Sequence, residues 1–397
     1  MTPPAAETAA TSSAVTPERP LAPDSEAQLA EAIRAANGPL RIAGGGTRAG
    51  WGAPSTGRPL STAGLSGITL YEPGALTLVA RAGTPLAEIE AALAAEGQIL
   101  PFEPPDHAAA MGRVGTPTIG GAVAVNAAGP RRVRAGACRD ALIGLRLVTG
   151  AGEIIKNGGR VMKNVTGYDL VKLMAGSFGT LGVLTEVSFK LLPAPQTVAT
   201  LTLQGLDDRD AVALMAAALG TSFEVSGAAH LVTGQSRETH LRLEGLEASV
   251  AYRAEALQSA LHGAGIPGAA DLTVTRDRDA GPWAALRDLG AFAGAAGDLW
   301  RIAQRPSQAA EAVAALRPAR HLLDHGGATL WALMPEGTDA RALLPAHATH
   351  ATLVRAADDT RARLGAFPRE ADAVAALARG LRAKFDPRGI LNPGLMG

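Results

Sequence analysis

Glycine residues cluster in three short segments of this 397-residue chain, each beside a strand-like apolar run. The segments are RIAGGGTRAGWG (41–52), GTPTIGGAVAVNAAGPRR (115–132) and SFGTLGVLTEV (177–187). Successive glycines accept positive φ angles and leave backbone N–H groups free to converge on an anion. Because three such segments lie well apart in sequence, they favour one long ligand with a diphosphate in its middle.

The first segment carries the strongest local signal. Gly44, Gly45, Gly46 and Thr47 would offer backbone N–H groups, and Arg48 a charge-assisted contact to a phosphate. A plain glycine-rich turn is the alternative for this loop taken alone. The run also fits a Rossmann G-x-G-x-x-A pattern, but that fingerprint must open a helix, and the glycine and proline residues at 50–54 exclude one. A Walker A loop is excluded as well, since no Gly-Lys-Ser/Thr follows.

The second segment offers donors and close backbone approach. We expect backbone N–H groups at Gly115 and Thr116, a hydroxyl at Thr118 and a glycine pair, Gly120 and Gly121, to face the ligand. The small residues would let a dinucleotide lie against the backbone. A helix N-terminus packed tightly against a strand is the alternative interpretation of this segment.

The third segment lies at a strand entrance. There the backbone groups of Gly182 and Val183 would pair with an adenine edge. The strand that follows, TLGVLTEVSFKLL (180–192), has alternating faces.

The pattern of helices and strands divides the chain into four regions. Residues 1–23 form an Ala/Thr/Ser/Pro-rich tail expected to be disordered, and residues 24–195 alternate strands, helices and glycine-dense loops. Within the latter, residues 25–36 predict a short helix capped by Asp24 or Ser25, and YDLVKLMAG (168–176) predicts another. TPLAEIEAALAAEG (84–97) predicts a helix capped by Thr84 with Pro85 at its first position, and residues 141–156 predict a hairpin. Residues 196–370 predict an antiparallel sheet covered by helices on one side, with the strands VATLTLQ, THLRLEGL, LWRIAQ, ATLWALM and ATLVRA. Residues 371–397 predict a helix and a tail returning to the first domain. The fold class is therefore α+β.

Composition excludes several classes of function. The 37 basic and 37 acidic residues give zero formal net charge, so no overall field attracts nucleic acid or an anionic membrane. The single cysteine, Cys138, cannot form a four-thiolate iron–sulfur or structural zinc site, so electron transfer would need an organic cofactor. No targeting segment or membrane span is expected, which favours a cytoplasmic protein.

The order of the motifs resembles a known family. RIAGGGTRAGWG, LVARAGTPLAEIEAAL, LPFEPPD, GTPTIGGAVAVNAAGP, IGLRLVTGAGEI, KNVTGYDLVKLMAGSFGTLGVLTEV and FDPRGILNPG are similar to the vanillyl-alcohol-oxidase type of FAD-linked oxidoreductases, which carry a PCMH-type FAD-binding domain. Within it the chain is most similar to the FAD-binding subunits of glycolate oxidases (glycolate dehydrogenases). The resemblance covers about residues 24–195 and the last dozen residues.

The resemblance implies a cofactor and roles for its contacts. The cofactor is FAD, with the pyrophosphate at residues 44–48, the ribityl–diphosphate portion at residues 115–121 with Ala127 close by, and the adenine at Gly182 and Val183. Asn392 would return to the flavin side of the cavity. Some members attach FAD through a histidine in the first loop, but this loop has neither histidine nor cysteine, so we expect non-covalent FAD.

The resemblance also implies partners: a homologous larger flavin subunit and a cysteine-rich iron–sulfur subunit. Together they would pass electrons from a small hydroxy acid to a membrane quinone. This chain would then reach the inner face of the cytoplasmic membrane only through those partners.

Candidate catalytic residues are fewer. Arg301, on a strand that would face the cavity, is the candidate for holding a substrate carboxylate, and an arginine on a solvated strand face is the alternative. No base stands out. His321 and His325, with Asp324 between them, suggest a metal cluster, but an apolar strand rather than a helix follows, so no metal site is predicted. Tyr168 is expected to pack structurally rather than act in catalysis.

Three functions remain open from the sequence. The first is an FAD-binding subunit of a glycolate dehydrogenase complex that oxidises glycolate to glyoxylate. The second is a self-contained flavin oxidoreductase for another hydroxy acid or a sugar. The third is a non-catalytic scaffold subunit that carries flavin.

Overall fold

The structure is a computed structural model that describes residues 19–159, 168–276, 281–345 and 350–396. Most of the predicted N-terminal tail, the VMKNVTG motif at 161–167 and His347 lie outside the described residues. All structural statements below refer to the described ranges.

The strands up to residue 193 form three sheets in the described part of the chain. The largest is five-stranded and antiparallel, with the order β3-β4-β8-β6-β7. β1 pairs with β2 in parallel, and β5 pairs with β9. The strands are β1 (Leu40–Ala43), β2 (Arg58–Ser61), β3 (Ile68–Glu72), β4 (Thr77–Arg81), β5 (Gln98–Ile99), β6 (Leu142–Val148), β7 (Ile154–Gly158), β8 (Val183–Lys190) and β9 (Leu192–Pro193).

Short helices connect these strands. They are α1 (Glu26–Arg34), α2 (Leu86–Ala95), α3 (Ile119–Ala124), α4 (Arg132–Ala135), α5 (Cys138–Ala141) and α6 (Leu170–Met174). The predicted helices at 25–36, 84–97 and 168–176 and the predicted hairpin at 141–156 are confirmed at these bounds. Ser25 caps α1 by accepting a hydrogen bond from the Gln28 N–H, as its position predicts.

Two local predictions in this part are wrong. Thr84 does not cap α2: its hydroxyl donates to the Arg81 carbonyl at 2.7 Å and accepts from the Gly67 N–H at 2.9 Å, so Pro85 occupies the N-cap. Tyr168 does not pack the helix α6, because its side chain is 90% exposed. The cap of α6 is Asp169, which accepts from the Lys172 N–H.

The strands from residue 197 to 355 all join one eight-stranded antiparallel sheet, here called the cap sheet. Its order is β13-β10-β12-β11-β15-β16-β14-β17 among the described strands. The strands are β10 (Thr197–Gln204), β11 (Gly227–Thr233), β12 (Ser236–Gly245), β13 (Thr273–Arg276), β14 (Asp298–Ala303), β15 (Arg320–Asp324), β16 (Thr329–Met334) and β17 (His350–Arg355). The sequence predicted five of them and missed β11, β13 and β15, whose mixed composition lacks a clear period.

Helices cover one face of the cap sheet, as predicted. Trp300, Ile302 and Ala332 belong to a core shared with α7, α8 and α10. Leu299, Trp331 and Leu333, which alternate with them along the same strands, face Trp51 and Met111 of the N-terminal part. The helices are α7 (Asp208–Leu219), α8 (Glu247–Gly263), α9 (Trp283–Arg287), α10 (Ala309–Leu316), α11 (Ala340–Leu343) and α12 (Asp358–Leu364).

The C-terminal segment returns to the first strand. After α13 (Asp372–Phe385), the Leu40 N–H donates to the Ile390 carbonyl at 2.7 Å and the Asn392 N–H donates to the Leu40 carbonyl at 3.0 Å. The domain boundaries at 195 and 370 fall outside the sheets, and the division into domains stays a prediction. No helix in the described ranges is both long and apolar enough to cross a membrane.

A buried charge network joins the cap sheet to the N-terminal part. Arg242 of β12 donates to both carboxylate oxygens of Glu103 at 2.8 Å, and Arg131 donates to Glu244 of β12 at 2.7 Å. Burial opposes ionisation of Glu244, but the hydrogen bond from Arg131 and the charge of Arg242 outweigh it and lower its pKa to about 2. Similarly, burial is outweighed by the contacts with Arg242, so the pKa of Glu103 is lowered. These carboxylates therefore stabilise the fold above their unfolded pKa values, and that stability is lost as the pH falls through the folded values.

We expect Arg242→Ala to lower the free energy of unfolding by about 3–5 kcal/mol, because it leaves the buried Glu103 carboxylate without its bidentate partner. Denaturant titration at neutral pH measures this change. The matched control is Arg276→Ala, which breaks an exposed ion pair with Glu255 and should change stability by less than about 1 kcal/mol. Equal effects of the two substitutions would contradict the stabilising role of the network.

Candidate functional site

A cavity of about 400 Å³ opens where the three glycine segments meet, a size typical of ligand pockets. Residues of loop 44–55, of α3, of segment 178–184 and of the C-terminal segment line it. The predicted cofactor residues among them are Gly44, Gly45, Gly46, Thr47, Arg48, Thr118, Gly120, Gly121, Gly182, Val183 and Asn392. The structure thus brings together residues that are up to 348 positions apart, from 44 to 392.

The first two glycine segments pack backbone against backbone. A Cβ atom on Gly45 would lie 1.5 Å from the Thr116 carbonyl oxygen, and one on Gly115 would lie 2.0 Å from the Gly45 carbonyl oxygen. A Cβ on Gly44 would lie 2.5 Å from Thr118 Oγ1. Since any side chain at these positions would force the loops apart, glycine is required here for close approach.

The first loop also has unused donors. The N–H groups of residues 44–48 make no hydrogen bond to any described residue. Gly46, at φ +79°, has no atom within 4 Å of the position where a Cβ would lie. This arrangement of free N–H groups beside open space is what an anion requires.

Three predicted cofactor residues do not line the cavity. Gly115 and Thr116 are exposed to solvent, and they contact the backbone of Gly45 without lining the cavity. Ala127 is buried in the core of the N-terminal part, where its carbonyl accepts from the Cys138 N–H. The close approach of the two loops turns Gly115 and Thr116 outward, and the C-terminal end of α3 carries Ala127 away from the cavity.

The cavity carries an excess of positive charge. Among its lining residues Arg41, Arg48, Arg113 and Arg361 are basic and only Asp358 is acidic. Arg48 donates to the Pro105 carbonyl, and its buried Nε atom has no partner in the described residues. Burial lowers the pKa of Arg48 to about 10, so it stays charged at neutral pH. Free N–H groups and unpaired guanidinium charge together fit a diphosphate.

Asn392 fixes the floor of the cavity. Its Oδ1 accepts from the Ile42 N–H at 2.7 Å and its Nδ2 donates to the Phe178 carbonyl at 2.9 Å. Both ends of the amide are therefore satisfied within the chain. Asn392 lines the cavity and joins the first and third glycine segments, and its place on the flavin side stays a prediction.

Arg361 and Trp51 are site residues that the sequence analysis missed. Arg361 of α12 reaches from the cap side to donate to the Gly50 carbonyl at 2.9 Å, and its Nε is buried without a partner in the described part of the chain. Trp51 lines the cavity and lies 6.5 Å, between ring centroids, from Trp331 of the cap sheet. Neither contact leaves a local signal, because each joins residues from distant parts of the chain.

Arg301 lies on the predicted face of its strand but not at the cavity wall. Along β14, Arg301 alternates with Trp300, which packs under the helices of the cap sheet. Arg301 therefore lies on the same face of the sheet as Leu299, which packs against the N-terminal part. Its guanidinium carbon lies 5.9 Å from the centroid of the Trp331 ring, and Arg301 is not among the residues that line the cavity, so its role there stays a prediction. A guanidinium favours the face of an indole ring in this way.

The environment of Arg301 leaves its charge available. Burial lowers the pKa of Arg301 to about 10, and it makes no hydrogen bond or ion pair to any described residue. Arg301 is partly buried, and a partly buried cation without a partner gains when an anion joins it. The alternative of an arginine on a solvated strand face stays open.

His107 lies between the two tryptophans, with ring centroids 5.9 Å from Trp51 and 5.5 Å from Trp331. Its Nε2 contacts the Arg287 carbonyl at 3.2 Å, and its buried Nδ1 has no partner in the described chain. Burial and the charge of Arg48 lower the pKa of His107 to about 3, so it is neutral. Because Nδ1 is enclosed, His107 positions the aromatic rings rather than presenting a base to a ligand.

The suggested pairing of His321 with His325 does not form. His325 lies on a turn after β15, where Nε2 contacts the Gly129 carbonyl at 3.1 Å and Nδ1 contacts the Thr329 hydroxyl. His321 lies within β15 and contacts Asp208 instead. The two imidazoles therefore belong to different environments.

Comparisons with known proteins agree with this geometry. A family model described as an FAD binding domain matches residues 17–158. The glycolate oxidase subunit GlcE of Escherichia coli (strain K12) is 36% identical over 360 residues, which is 90% of this chain and 92% of that protein. The D-2-hydroxyglutarate dehydrogenase of Xanthomonas citri pv. viticola is 39% identical over 133 residues, which is 33% of this chain and 27% of that protein.

The fold likeness extends along most of the chain. A solved structure of alkyldihydroxyacetonephosphate synthase matches with a TM-score of 0.66, covering 94% of this chain and 75% of that one. Its 15% identity shows the fold alone. The predicted α+β fold with a PCMH-type domain and the predicted cofactor FAD are confirmed. The individual FAD contacts stay predictions.

We expect Gly45→Ala to weaken FAD binding at least about tenfold, because the new Cβ would overlap the Thr116 carbonyl and push the two loops apart. The flavin-to-protein ratio after purification and an FAD titration of the apoprotein measure this loss. Gly38→Ala is the matched control, since no atom lies within 4 Å of its Cβ position. Unchanged affinity in Gly45→Ala would refute the role of the close approach.

FAD should be released from the denatured chain without proteolysis, because loop 44–52 contains no histidine or cysteine to bond it. Acid precipitation followed by absorbance of the supernatant tests this. Flavin that stays with the pellet would reveal a covalent bond and contradict the prediction.

Proposed function

Since this chain belongs to the family of the glycolate oxidase subunit GlcE within the FAD-linked oxidoreductases, we propose that it is the FAD-binding subunit of a 2-hydroxy-acid dehydrogenase complex, with glycolate as donor and glyoxylate as product. The observation that carries the proposal is the cavity in which free N–H groups of residues 44–48 lie beside unpaired guanidinium charge. This cavity has the chemistry of a dinucleotide site.

The proposed roles of the residues follow from their placement. The first loop and Arg48 hold the diphosphate, Thr118 and the pair Gly120 and Gly121 hold the ribityl side, and Gly182 and Val183 hold the adenine. Bound FAD supplies the acceptor for the two electrons taken from the hydroxy acid. Trp51 and Trp331 exclude water between the cavity and the cap sheet.

Arg301 is proposed to hold the substrate carboxylate. Its planar fork donates to both oxygens of a carboxylate, and its present lack of an ion partner leaves that fork free. Trp331, against which Arg301 lies, is 6.5 Å from Trp51 of the cavity lining, measured between ring centroids.

The proposal of a complex is based on the lack of a proton acceptor among the described residues that line the cavity. Its lining residues in the described chain include no histidine, glutamate or lysine, and its one acid, Asp358, is paired with Arg361. The proton of the hydroxyl thus has no evident acceptor here. The relative GlcE is named a subunit, and GlcD of Bacillus subtilis (strain 168) matches 100 residues at 45% identity, which is 25% of this chain and 20% of that protein.

We therefore propose a larger homologous flavin subunit and an iron–sulfur subunit as partners, with any membrane contact made through them from the cytoplasmic side. The single cysteine, Cys138, is buried and cannot hold an iron–sulfur cluster, so another chain would have to supply any such electron relay. The same lack of a base favours a second candidate function, a flavin-carrying scaffold that does not itself oxidise substrate.

Anaerobic addition of glycolate to the isolated chain and to the chain copurified with its gene neighbours tests the proposal. We expect both preparations to be yellow and only the complex to lose flavin absorbance. In the complex, Arg301→Gln should raise KM for glycolate about 10- to 100-fold at unchanged FAD content, because a charge-assisted contact is lost.

The matched control is Arg276→Gln, an exposed arginine at the far edge of the cap sheet, which should leave KM unchanged. Bleaching of the isolated chain would favour a self-contained enzyme. Normal KM and turnover in Arg301→Gln would favour the scaffold. A colourless chain that takes up no FAD would overturn the proposal as a whole.

A further inference from the structure

Three metal-ligating side chains meet beneath the helix layer of the cap sheet. They are Asp208 at the start of α7, His230 of β11 and His321 of β15. One ligand atom from each lies within 4.8 Å of the other two. They come from separate elements, so no sequence spacing reveals them, and the sequence analysis predicted no metal site.

The distances suit coordination of one ion. His230 Nε2 lies 3.5 Å from Asp208 Oδ1, and His321 Nε2 lies 2.5 Å from the same oxygen. Two ligand atoms of a tetrahedral zinc ion are about 3.3 Å apart, given bonds of about 2.0–2.1 Å. The first separation is about 0.2 Å longer than this value, and the second would open by about 0.8 Å.

His230 is oriented as a metal ligand would be. It is fully buried, and its Nδ1 lies 2.8 Å from the Thr239 hydroxyl oxygen, which accepts from Nδ1 when the ring proton is on that nitrogen. In that tautomer Nε2 carries a lone pair toward Asp208, and it has no hydrogen-bond partner in the described chain. A buried lone pair facing a carboxylate oxygen is unfavourable unless a cation lies between them.

Asp208 has one further charged neighbour. Arg237 Nη1 lies 3.9 Å from Oδ2 of Asp208, the oxygen that does not face His321.

The cluster lies on the opposite face of the cap sheet from the flavin cavity. His321 alternates with Leu322, which packs in the cluster of Trp331 and Trp51, and shares the face of Leu323, which packs under the helices. It is therefore independent of the proposed oxidation chemistry.

We propose that Asp208, His230 and His321 bind a zinc ion that fastens α7 to β11 and β15. Two imidazole nitrogens and one carboxylate oxygen suit Zn²⁺, with a water as the fourth ligand. The Asp208 side chain is 18% exposed, which leaves a side on which that water can enter. Thr239 would act as the outer partner that fixes the tautomer of His230.

Metal analysis of tag-free protein tests the site. After EDTA treatment and desalting, the chain is titrated with Zn²⁺, and with Co²⁺ as a spectroscopic probe of tetrahedral coordination. We expect one Zn²⁺ per chain in the wild type. Asp208→Asn, His230→Gln and His321→Gln should each weaken binding more than about tenfold, and the control His262→Gln, an exposed histidine of α8, should not.

Thr239→Val is a second test for use when a variant of one of the three ligands does not fold. It keeps all three ligands and should weaken Zn²⁺ binding about 10- to 100-fold. A wild type that binds no Zn²⁺, or variants of all three ligands that bind it as the wild type does, would overturn the proposal. These readouts are independent of flavin content and of activity.

Discussion

The approach of Gly45 to Thr116 is the constraint on which the site depends. With 1.5 Å between a notional Cβ and the carbonyl oxygen, the two loops can meet only as bare backbone. That contact places the first glycine loop against Thr118, whose hydroxyl accepts from the Gly121 N–H and starts α3. The N–H groups of residues 44–48, which line the cavity, make no hydrogen bond to any described residue and so stay free to bind an anion.

The cap sheet is held over this cavity by charge as well as by apolar packing. Glu103 and Glu244 are paired with Arg242 and Arg131 across the interface, and Arg361 reaches back to the glycine loop. Each of these pairs crosses from one part of the chain to the other. Movement of the cap would expose buried charges, so the network fixes the distance between the flavin cavity and Arg301.

The sequence predicted what depends on local chemistry. Glycine clusters, the Ser25 cap and the alternating strands appear where the pattern placed them, because positive φ, capping and burial leave residue-level signals. Thr84 shows where local prediction fails. Its hydroxyl hydrogen-bonds the Gly67 N–H and the Arg81 carbonyl instead of capping the helix, because tertiary packing brings Gly67 within reach. The same holds for β11, β13 and β15, and for Arg361, whose partners are remote in sequence.

The two faces of the cap sheet explain why binding and catalysis separate in this chain. The face toward the N-terminal part carries Trp331 and Arg301 near the cavity, which can exclude water and hold an anion but cannot accept a proton. His240 also lies on that face, but it packs against Trp283 and is not among the residues that line the cavity. His230 and His321 lie on the other face, beside Asp208. Because a strand sends successive side chains to opposite faces, only a shift by one position would bring either of these two to the face toward the N-terminal part. The described lining of the cavity therefore offers no histidine to accept the substrate proton, which is why we propose a partner subunit.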